Sequence, residues 1–327
     1  MLFFIFGGNI KGIICKIESK DNYVLVKDSD KLIRCGLRGK FKKDLLMKKD
    51  KMFMLDIAIV GDEVEFEMNA DGTGVIYRIN ERKNYISRKA PKFKGASYRG
   101  ERYEQVIASN VDNLFIINSV NLPKFNNKLL DRIIVVGESA QVNINIIINK
   151  MDLNDNDDIL FWINMYKNFG YNIFPVSVKT GLGMDEVRKQ LNSKVNLFWG
   201  HSGVGKSSLL NTMYPSLNFK VGEISDYTNK GKHTTVTSVM KLVEPDTYII
   251  DTPGIREIDP YGITKESLGH YFIEFAPFIQ NCRFNTCTHY HEPDCGVIEA
   301  VEKEQITPER YHSYINLLET VEDDMFF

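Results

Sequence analysis

Gly200-His201-Ser202-Gly203-Val204-Gly205-Lys206-Ser207 decides the reading of this chain. The stretch follows a short apolar run at 196–199 and opens a helical pattern over Lys206–Met213. It matches the Walker A pattern in the strand–turn–helix setting that the pattern requires. Its glycines let the backbone curl so that N–H groups face phosphate oxygens. Lys206 brings a point charge for the β- and γ-phosphates, and the start of the helix adds its positive end. The Ser207 hydroxyl is placed to ligate Mg²⁺. Gly200, His201, Ser202, Gly203, Val204, Gly205, Lys206, Ser207 and the following Ser208 are therefore candidate phosphate-binding residues. A glycine turn with no ligand is the bland alternative, and the strand–helix setting weighs against it.

Three further segments sit at strand ends. Asp251-Thr252-Pro253-Gly254 follows the run 248–250. An Asp there can hold Mg²⁺ through water, and the Gly254 N–H can sense a γ-phosphate. Asn149-Lys150-Met151-Asp152 follows the run 144–148. The Asp152 carboxylate can accept from guanine N1–H and N2–H₂, a pair that adenine does not offer, so it selects GTP over ATP. Ser177, Val178 and Lys179, with Thr180 and Gly181, stand at the end of the run 172–178 and are placed to close over the base. The order is unusual: in a standard GTPase the phosphate loop comes first, whereas here NKMD and SVKTG precede it. A doubly wound sheet with neighbouring termini tolerates such a permutation. One consequence is that the segment beginning at Asp251 leads directly into the C-terminal part of the chain.

The candidate first switch is Lys230-Gly231-Lys232-His233-Thr234-Thr235. Thr234 and Thr235 both qualify to complete the magnesium shell, and Thr235 is set beside Ser207 as the ligand pair. Ile255 follows Gly254, so the Gln that orients water in many GTPases is absent. His233 is the best replacement, either orienting the water or acting as base. Together with Lys206 it makes up the candidate catalytic pair. Slow intrinsic turnover that rises when a partner orders this loop is the expected behaviour.

Outside the nucleotide motifs the texture divides the chain. Residues 1–80 read as five short strands (12–17, 23–27, 32–37, 60–68 and 74–79), which suggests a small β-barrel with the OB-fold leading. Basic residues crowd the stretch 38–51, as in a loop that meets phosphates. Residues 81–105 read as a basic linker broken by Pro91, Gly95 and Gly100. Residues 106–262 alternate strand and helix, as expected of a parallel sheet covered on both faces. Helices are expected at 129–140, 159–169, 184–191 and 206–213. Residues 263–327 are mostly helical, with helices at 297–304 and from Thr307, where Thr307 is the N-cap and Pro308 the first position. The net charge of −2 conceals an asymmetry: residues 1–100 carry 21 Lys+Arg against 13 Asp+Glu, and the rest carry 20 against 30. A basic module beside an acidic one suits contact with a polyanion.

The five cysteines are odd in number, and three of them sit within 282–295, which does not fit a disulfide framework. Cys282, Cys287, His289 and Cys295 form a Cys₃His set, the donor set of a closed structural zinc site. His291 is a rival ligand, read instead as a supporting or surface residue. The apolar start, residues 1–8, has no basic flank and no cleavage site of small residues, and no run is long enough to span a membrane. A reducing, cytoplasmic setting is expected, with no membrane partner and a monomeric state.

NKMD ahead of GHSGVGKSSL, then KHTT, DTPG and CxxxxCxHxxxxxC, together resemble the ribosome small subunit-dependent GTPase A family across essentially the whole chain. The resemblance implies an N-terminal OB-fold, a circularly permuted GTPase domain and a C-terminal zinc domain. It implies GTP hydrolysis to GDP, stimulated by the small ribosomal subunit, in late maturation of that subunit, with contacts to its rRNA from the basic loop and the linker around Arg88. It also implies a catalytic role for His233. The family pattern reads GRHTT where this chain has Lys232 in place of the Arg. Two other classes compete. An RNA-binding protein with a degenerate nucleotide site is opposed by the intact Lys206, Ser207, Asp251 and Asp152. A P-loop ATPase or kinase is opposed by Asp152.

Overall fold

The structure is a computed structural model, which describes residues 9–27, 29–39, 41, 57–90, 104–155, 158–219, 238–252 and 258–321. The first module is a closed barrel of β1 (Ile10–Glu18), β2 (Asp21–Val26), β3 (Leu32–Leu37), β4 (Glu63–Met68) and β5 (Gly74–Ile79). Its strand order, β1-β2-β3-β5-β4, closes through antiparallel β1–β4 pairing, and β3 pairs in parallel with β5. This is the expected OB-type barrel. Alternation along each strand turns Ile14, Val24, Cys35, Val64, Phe66 and Ile76 into the interior, where all are buried.

The fourth strand starts three residues later than the sequence pattern suggests. Val60, Gly61 and Asp62 form a turn instead. Gly61 has φ +98°, and a Cβ there would lie 2.1 Å from the Ser109 carbonyl oxygen. The buried Asp62 carboxylate accepts from the Ile59 N–H (2.9 Å), Ser109 Oγ (2.7 Å) and Arg82 Nε (2.7 Å). These bonds fasten the barrel to the next module.

The segment read as a linker contains a strand. β6 (Tyr85–Lys89) pairs antiparallel with β7 (Glu104–Ser109), and Ile86, Ile107 and Ala108 are buried in the core of the central module. Arg88 is 7% exposed and donates from Nε to Gln105 Oε1 at 3.2 Å, so it is not presented to an RNA surface. The basic count of the segment hid the alternation of Ile86 with its polar neighbours.

The central sheet has six strands in the order β10-β9-β8-β11-β13-β12. These are β8 (Asn113–Ser119), β9 (Asn143–Asn149), β10 (Asn172–Pro175), β11 (Val195–Gly200), β12 (Val239–Glu244) and β13 (Thr247–Asp251). All neighbours are parallel except β12–β13. The central strands β8, β9 and β11 are mostly apolar and buried because both faces are covered. Leu114 and Ile116 face helices α1 (Asn127–Ser139) and α2 (Asp158–Asn168). Phe115 and Ile117 face α3 (Met184–Leu191) and α4 (Lys206–Met213). The chain winds from β8 to β9 and β10 on one side, then returns to β11 on the other. The reversal of strand order therefore lies between β8 and β11, and ligands of doubly wound sheets bind at the carboxyl ends beside such a point.

Among the described residues, the C-terminal region holds four α-helices, α5 (Lys265–Leu268), α6 (Ala276–Ile279), α7 (Gly296–Glu302) and α8 (Pro308–Leu318). They pack around Phe272, Phe275, Tyr314 and Leu317. Thr307 stands at the N-cap of α8 with Pro308 following, but its hydroxyl points to Met165 Sδ at 3.3 Å and makes no cap bond. Arg310 of α8 is fully buried; its Nε donates to Glu274 Oε1 at 2.5 Å, its Nη1 to Asp131 of α1, and its guanidinium lies 4.3 Å from the Phe272 ring. Burial opposes the charge, but the two carboxylates hold Arg310 protonated far above its ordinary range. Among the described residues, no helix is long and apolar enough to cross a membrane.

Candidate functional site

The phosphate turn grows from the end of β11. A Cβ on Gly200 would stand 2.6 Å from the Ile117 carbonyl oxygen of β8, so this strand end admits only glycine. Gly205 has φ +92°, and a Cβ there would lie 2.4 Å from Asn149 Nδ2. Asn149 is 2% exposed and donates from Nδ2 to the Val204 carbonyl at 2.8 Å. The NKMD strand end is thus bonded to the turn that precedes Lys206. Lys206 opens α4, and its Nζ donates to Asp251 Oδ1 at 2.5 Å and to the Thr252 carbonyl at 3.3 Å. Thr252 Oγ1 donates to the Phe198 carbonyl at 3.0 Å, which fixes the DTPG strand end against β11.

The NKMD and SVKTG segments are assembled next to it. Lys150 has φ +61°, and its Nζ donates to the Gly203 carbonyl at 2.8 Å and to the Leu122 carbonyl. The Asn149 side chain turns back to accept from the Lys150 N–H at 2.7 Å. The Met151 N–H donates to the Val176 carbonyl at 3.0 Å. Ser177 Oγ donates to Asp152 Oδ1 at 2.7 Å, and Lys179 Nζ lies 3.9 Å from Asp152 Oδ2. Ser177 therefore holds the carboxylate while Lys179 stands over it. His201 Nδ1 lies 2.9 Å from the Ser202 carbonyl, within the phosphate turn.

Asn149, Lys150, Asp152, Ser177, Lys179, Lys206 and Asp251 are thus linked through this chain of bonds, at the carboxyl ends of β9, β10, β11 and β13. The sequence pattern assigned Asn149 and Lys150 to the nucleotide; in the structure both bind the phosphate turn, which makes one site of two motifs. Gly254, His233, Thr234 and Thr235 lie outside the described residues, as does most of the basic stretch 38–51.

The cysteine cluster lies in the C-terminal region. Cys282 Sγ is 3.8 Å from Cys295 Sγ and 3.5 Å from His289 Nδ1, and Cys295 Sγ is 3.4 Å from His289 Nδ1. The four ligand atoms, with Cys287 Sγ, all lie within 4.8 Å of one another. A tetrahedral zinc with Zn–S near 2.3 Å and Zn–N near 2.1 Å would space its ligands by roughly 3.5–3.8 Å, so the set is compatible with zinc. Burial pushes the Cys287 and Cys295 thiols up and the His289 imidazole down. A bound cation would reverse the first effect, and the second keeps the imidazole neutral as a ligand must be. Tyr311 Oη donates to the His289 carbonyl at 2.8 Å, and Tyr314 Oη to that of Thr288 at 2.5 Å. Glu292 braces the loop: burial alone would raise its pKa, but bonds from the Thr288 hydroxyl and the Thr288 and Tyr290 N–H groups bring it down to about 2. His291 is exposed and outside the cluster.

Sequence reasoning missed three residues of the surrounding framework: Leu122, whose carbonyl receives Lys150, and Arg132 and Arg310, which join modules. A carbonyl contact leaves no sequence signal. The two arginines could be suspected only from being charged residues within apolar helical patterns.

A strand–turn–helix segment of the Walker A pattern bonded to the NKMD strand end, with the motifs in rotated order on one doubly wound sheet, defines a circularly permuted P-loop GTPase, an enzyme that hydrolyses GTP. Residues 79–261 match the RsgA GTPase family and residues 11–76 the RsgA N-terminal domain, so the chain belongs to the RsgA GTPase family. The small ribosomal subunit biogenesis GTPase RsgA 2 of Bacteroides thetaiotaomicron is 38% identical over 320 residues, 97% of this chain and 99% of that protein. The small ribosomal subunit biogenesis GTPase RsgA of Phocaeicola vulgatus is 38% identical over 321 residues, 97% of this chain and 99% of that one. Among solved structures, YjeQ from Thermotoga maritima superposes with a TM-score of 0.75 at 31% identity, covering 95% of this chain and 98% of that one. YloQ, described as a circularly permuted GTPase, superposes with a TM-score of 0.70 at 28% identity, covering 98% and 97%.

Proposed function

We propose that this GTPase binds the small ribosomal subunit and its rRNA as a monomer in the cytoplasm, acts in late maturation of that subunit, and turns over GTP faster when bound to it. The carrying observation is the near-full-length similarity to proteins named for small-subunit biogenesis. The charge asymmetry supports it, since the basic excess lies in the first hundred residues, the part bearing the OB-type barrel.

In this reading Asp152, held by Ser177, accepts from guanine N1–H and N2–H₂, and Val178, Lys179 and Met151 frame the base. Backbone N–H groups of the turn 200–208 face the phosphates, and Lys206 shares its charge between Asp251 and the β- and γ-phosphates. Ser207 and Thr235 would hold Mg²⁺ directly, with Asp251 acting through water; the ion would neutralise charge on the phosphates. Gly254 would sense the γ-phosphate through its N–H. His233 would orient or deprotonate the attacking water. Cys282, Cys287, His289 and Cys295 would hold Zn²⁺ in a closed site with no chemical role. The C-terminal module follows directly on the DTPG segment, so loss of γ-phosphate would be felt there and would release the protein from the subunit.

The test is GTP hydrolysis by wild type and His233→Ala, each with and without purified small subunits. Wild type should be stimulated, and His233→Ala should lose about 10²-fold or more of the stimulated rate, the scale of general acid–base catalysis. Equal stimulation of both proteins would remove His233 from the mechanism. No stimulation of wild type would remove the ribosomal assignment.

A further inference from the structure

Arg310 of α8 stands between two modules and is bonded to a carboxylate from each. Its Nε donates to Glu274 Oε1 at 2.5 Å within the C-terminal module, and its Nη1 donates to Asp131 of α1 in the central module. The Arg310, Asp131 and Glu274 side chains are 0%, 2% and 5% exposed. Aromatic rings surround the guanidinium, with centroids at 4.3 Å for Phe272, 5.7 Å for Tyr166 and 6.0 Å for Phe169. The contact beside this triad is apolar: Val135 of α1 is buried in the C-terminal core with Phe272, Phe275, Tyr314 and Leu317. At its rim, Asn127 Nδ2 donates to Ser313 Oγ at 3.1 Å, Lys128 Nζ to Asn316 Oδ1 at 3.5 Å and Arg132 Nη2 to Thr320 Oγ1 at 3.0 Å. Those rim bonds are partly or wholly open to water, which competes for the same groups.

We propose that the Asp131–Arg310–Glu274 triad is an orientation device, which admits one docking of the C-terminal module on α1 without adding to stability. The first ground is that the triad is incompletely bonded. Asp131 Oδ1 takes both Arg310 and the Tyr166 hydroxyl at 2.6 Å, while Asp131 Oδ2, Glu274 Oε2 and Arg310 Nη2 are buried and make no hydrogen bond within the chain. Buried charges with unmet atoms offset their desolvation poorly, so apolar residues of similar volume serve folding as well or better. The second ground is directionality. Apolar contact is non-directional and tolerates neighbouring dockings. A docking that parts Arg310 from Asp131 strands both charges among aromatic rings and is strongly disfavoured. A single buried polar residue fixes register between helices in the same way. The competing reading is an ion pair that holds the modules together by its own strength, and the two readings differ in what an apolar replacement does.

The experiment compares wild type, Arg310→Met, and an apolar variant carrying Asp131→Leu, Tyr166→Phe, Glu274→Met and Arg310→Met, all in the full chain. It reads the thermal midpoint, zinc per chain, intrinsic kcat, and the distance between nitroxides on bioorthogonal residues at Lys189 of α3 and Glu302 of α7. Both positions are exposed, and the labelling spares the cysteines. Arg310→Met strands two carboxylates and should lower the midpoint by roughly 10 °C. The apolar variant should melt within about 5 °C of wild type, keep its zinc and keep kcat within about twofold. Wild type should give one narrow distance and the apolar variant a broad or multiple one. A single narrow distance in the apolar variant would show that shape alone orients the module and would overturn the proposal. So would a broad distance in wild type, or an apolar variant that melts as low as Arg310→Met or does not fold. With purified small subunits the apolar variant should bind about tenfold more weakly, the loss expected when the competent orientation is held about a tenth of the time. This last arm rests on the function proposed above, and an unchanged affinity would overturn the link to the subunit. Wild type that does not bind small subunits would remove the ribosomal reading, while the distances and midpoints still decide the role of the triad.

Discussion

Gly205 shows how one residue joins two motifs. Its positive φ and the 2.4 Å approach of Asn149 Nδ2 leave no room for a methyl group. Gly205→Ala must strain the backbone or push Asn149 off the Val204 carbonyl. Left-handed strain of about 1–3 kcal/mol and a lost buried hydrogen bond of about 1 kcal/mol lead us to expect at least a tenfold weaker GTP affinity. Equilibrium titration with a non-hydrolysable GTP analogue measures this, and an affinity within twofold of wild type would show that the turn adapts. At this scale much of the site was legible. Lys206, Asp251 and Asp152 were readable because their chemistry and spacing are distinctive. Asn149 was found but its partner was not, because a side chain serving a distant backbone carbonyl has no local pattern. The same blindness applies to Thr307, whose hydroxyl leaves its cap position for Met165.

Among elements, the cysteine loop is the one whose side chains suit a ligand from beyond the chain. It presents three buried or half-buried thiols and an imidazole between α6 and α7, and Cys287 and Cys295 belong to the same apolar core as Phe272 and Tyr314. Burial raises the Cys287 and Cys295 thiols, so a bound cation would have to displace their protons. The purified protein should carry about one zinc per chain, and Cys287→Ser should lose it and open residues 263–321 to proteolysis while the barrel stays protected. Elemental analysis with limited proteolysis checks both points, and zinc retained by Cys287→Ser would exclude Cys287 as a ligand. Strands were legible where apolar runs were long, as in β8 and β9. They were missed in β6, where buried Arg88 and Lys89 mimic a polar linker, and in β12, an antiparallel edge strand half exposed along its length.

Across the whole molecule, the order of motifs along the chain separates from their arrangement in space. Strand β9 precedes β11 in sequence, yet its end at Asn149 is bonded to the phosphate turn that follows β11. Rotating the order leaves these motifs together because Asn149, Asp152, Lys206 and Asp251 all lie at or just past carboxyl ends of the same sheet. What changes is the wiring: the chain after β13 continues in sequence into the C-terminal module, where Asp259 meets Arg132. The rotation could be read from the sequence because each motif identifies its own strand end. The contacts of Arg132 and Arg310 could not, since they depend on how modules pack.

The central claim is a single pocket that reads guanine through Asp152 and triphosphate through the Lys206 turn. Its most direct test is competition of GDP, XDP and ADP against a fluorescent guanine nucleotide, for wild type and for Asp152→Asn challenged also with a fluorescent xanthine nucleotide. Wild type should prefer GDP over both rivals. Asp152→Asn should lose GDP affinity by about a hundredfold and prefer XDP, since a carboxamide can satisfy the xanthine carbonyl but not both guanine donors. Undiminished GDP binding by Asp152→Asn would contradict the account, because the base would then be held somewhere other than beside the turn at Lys206.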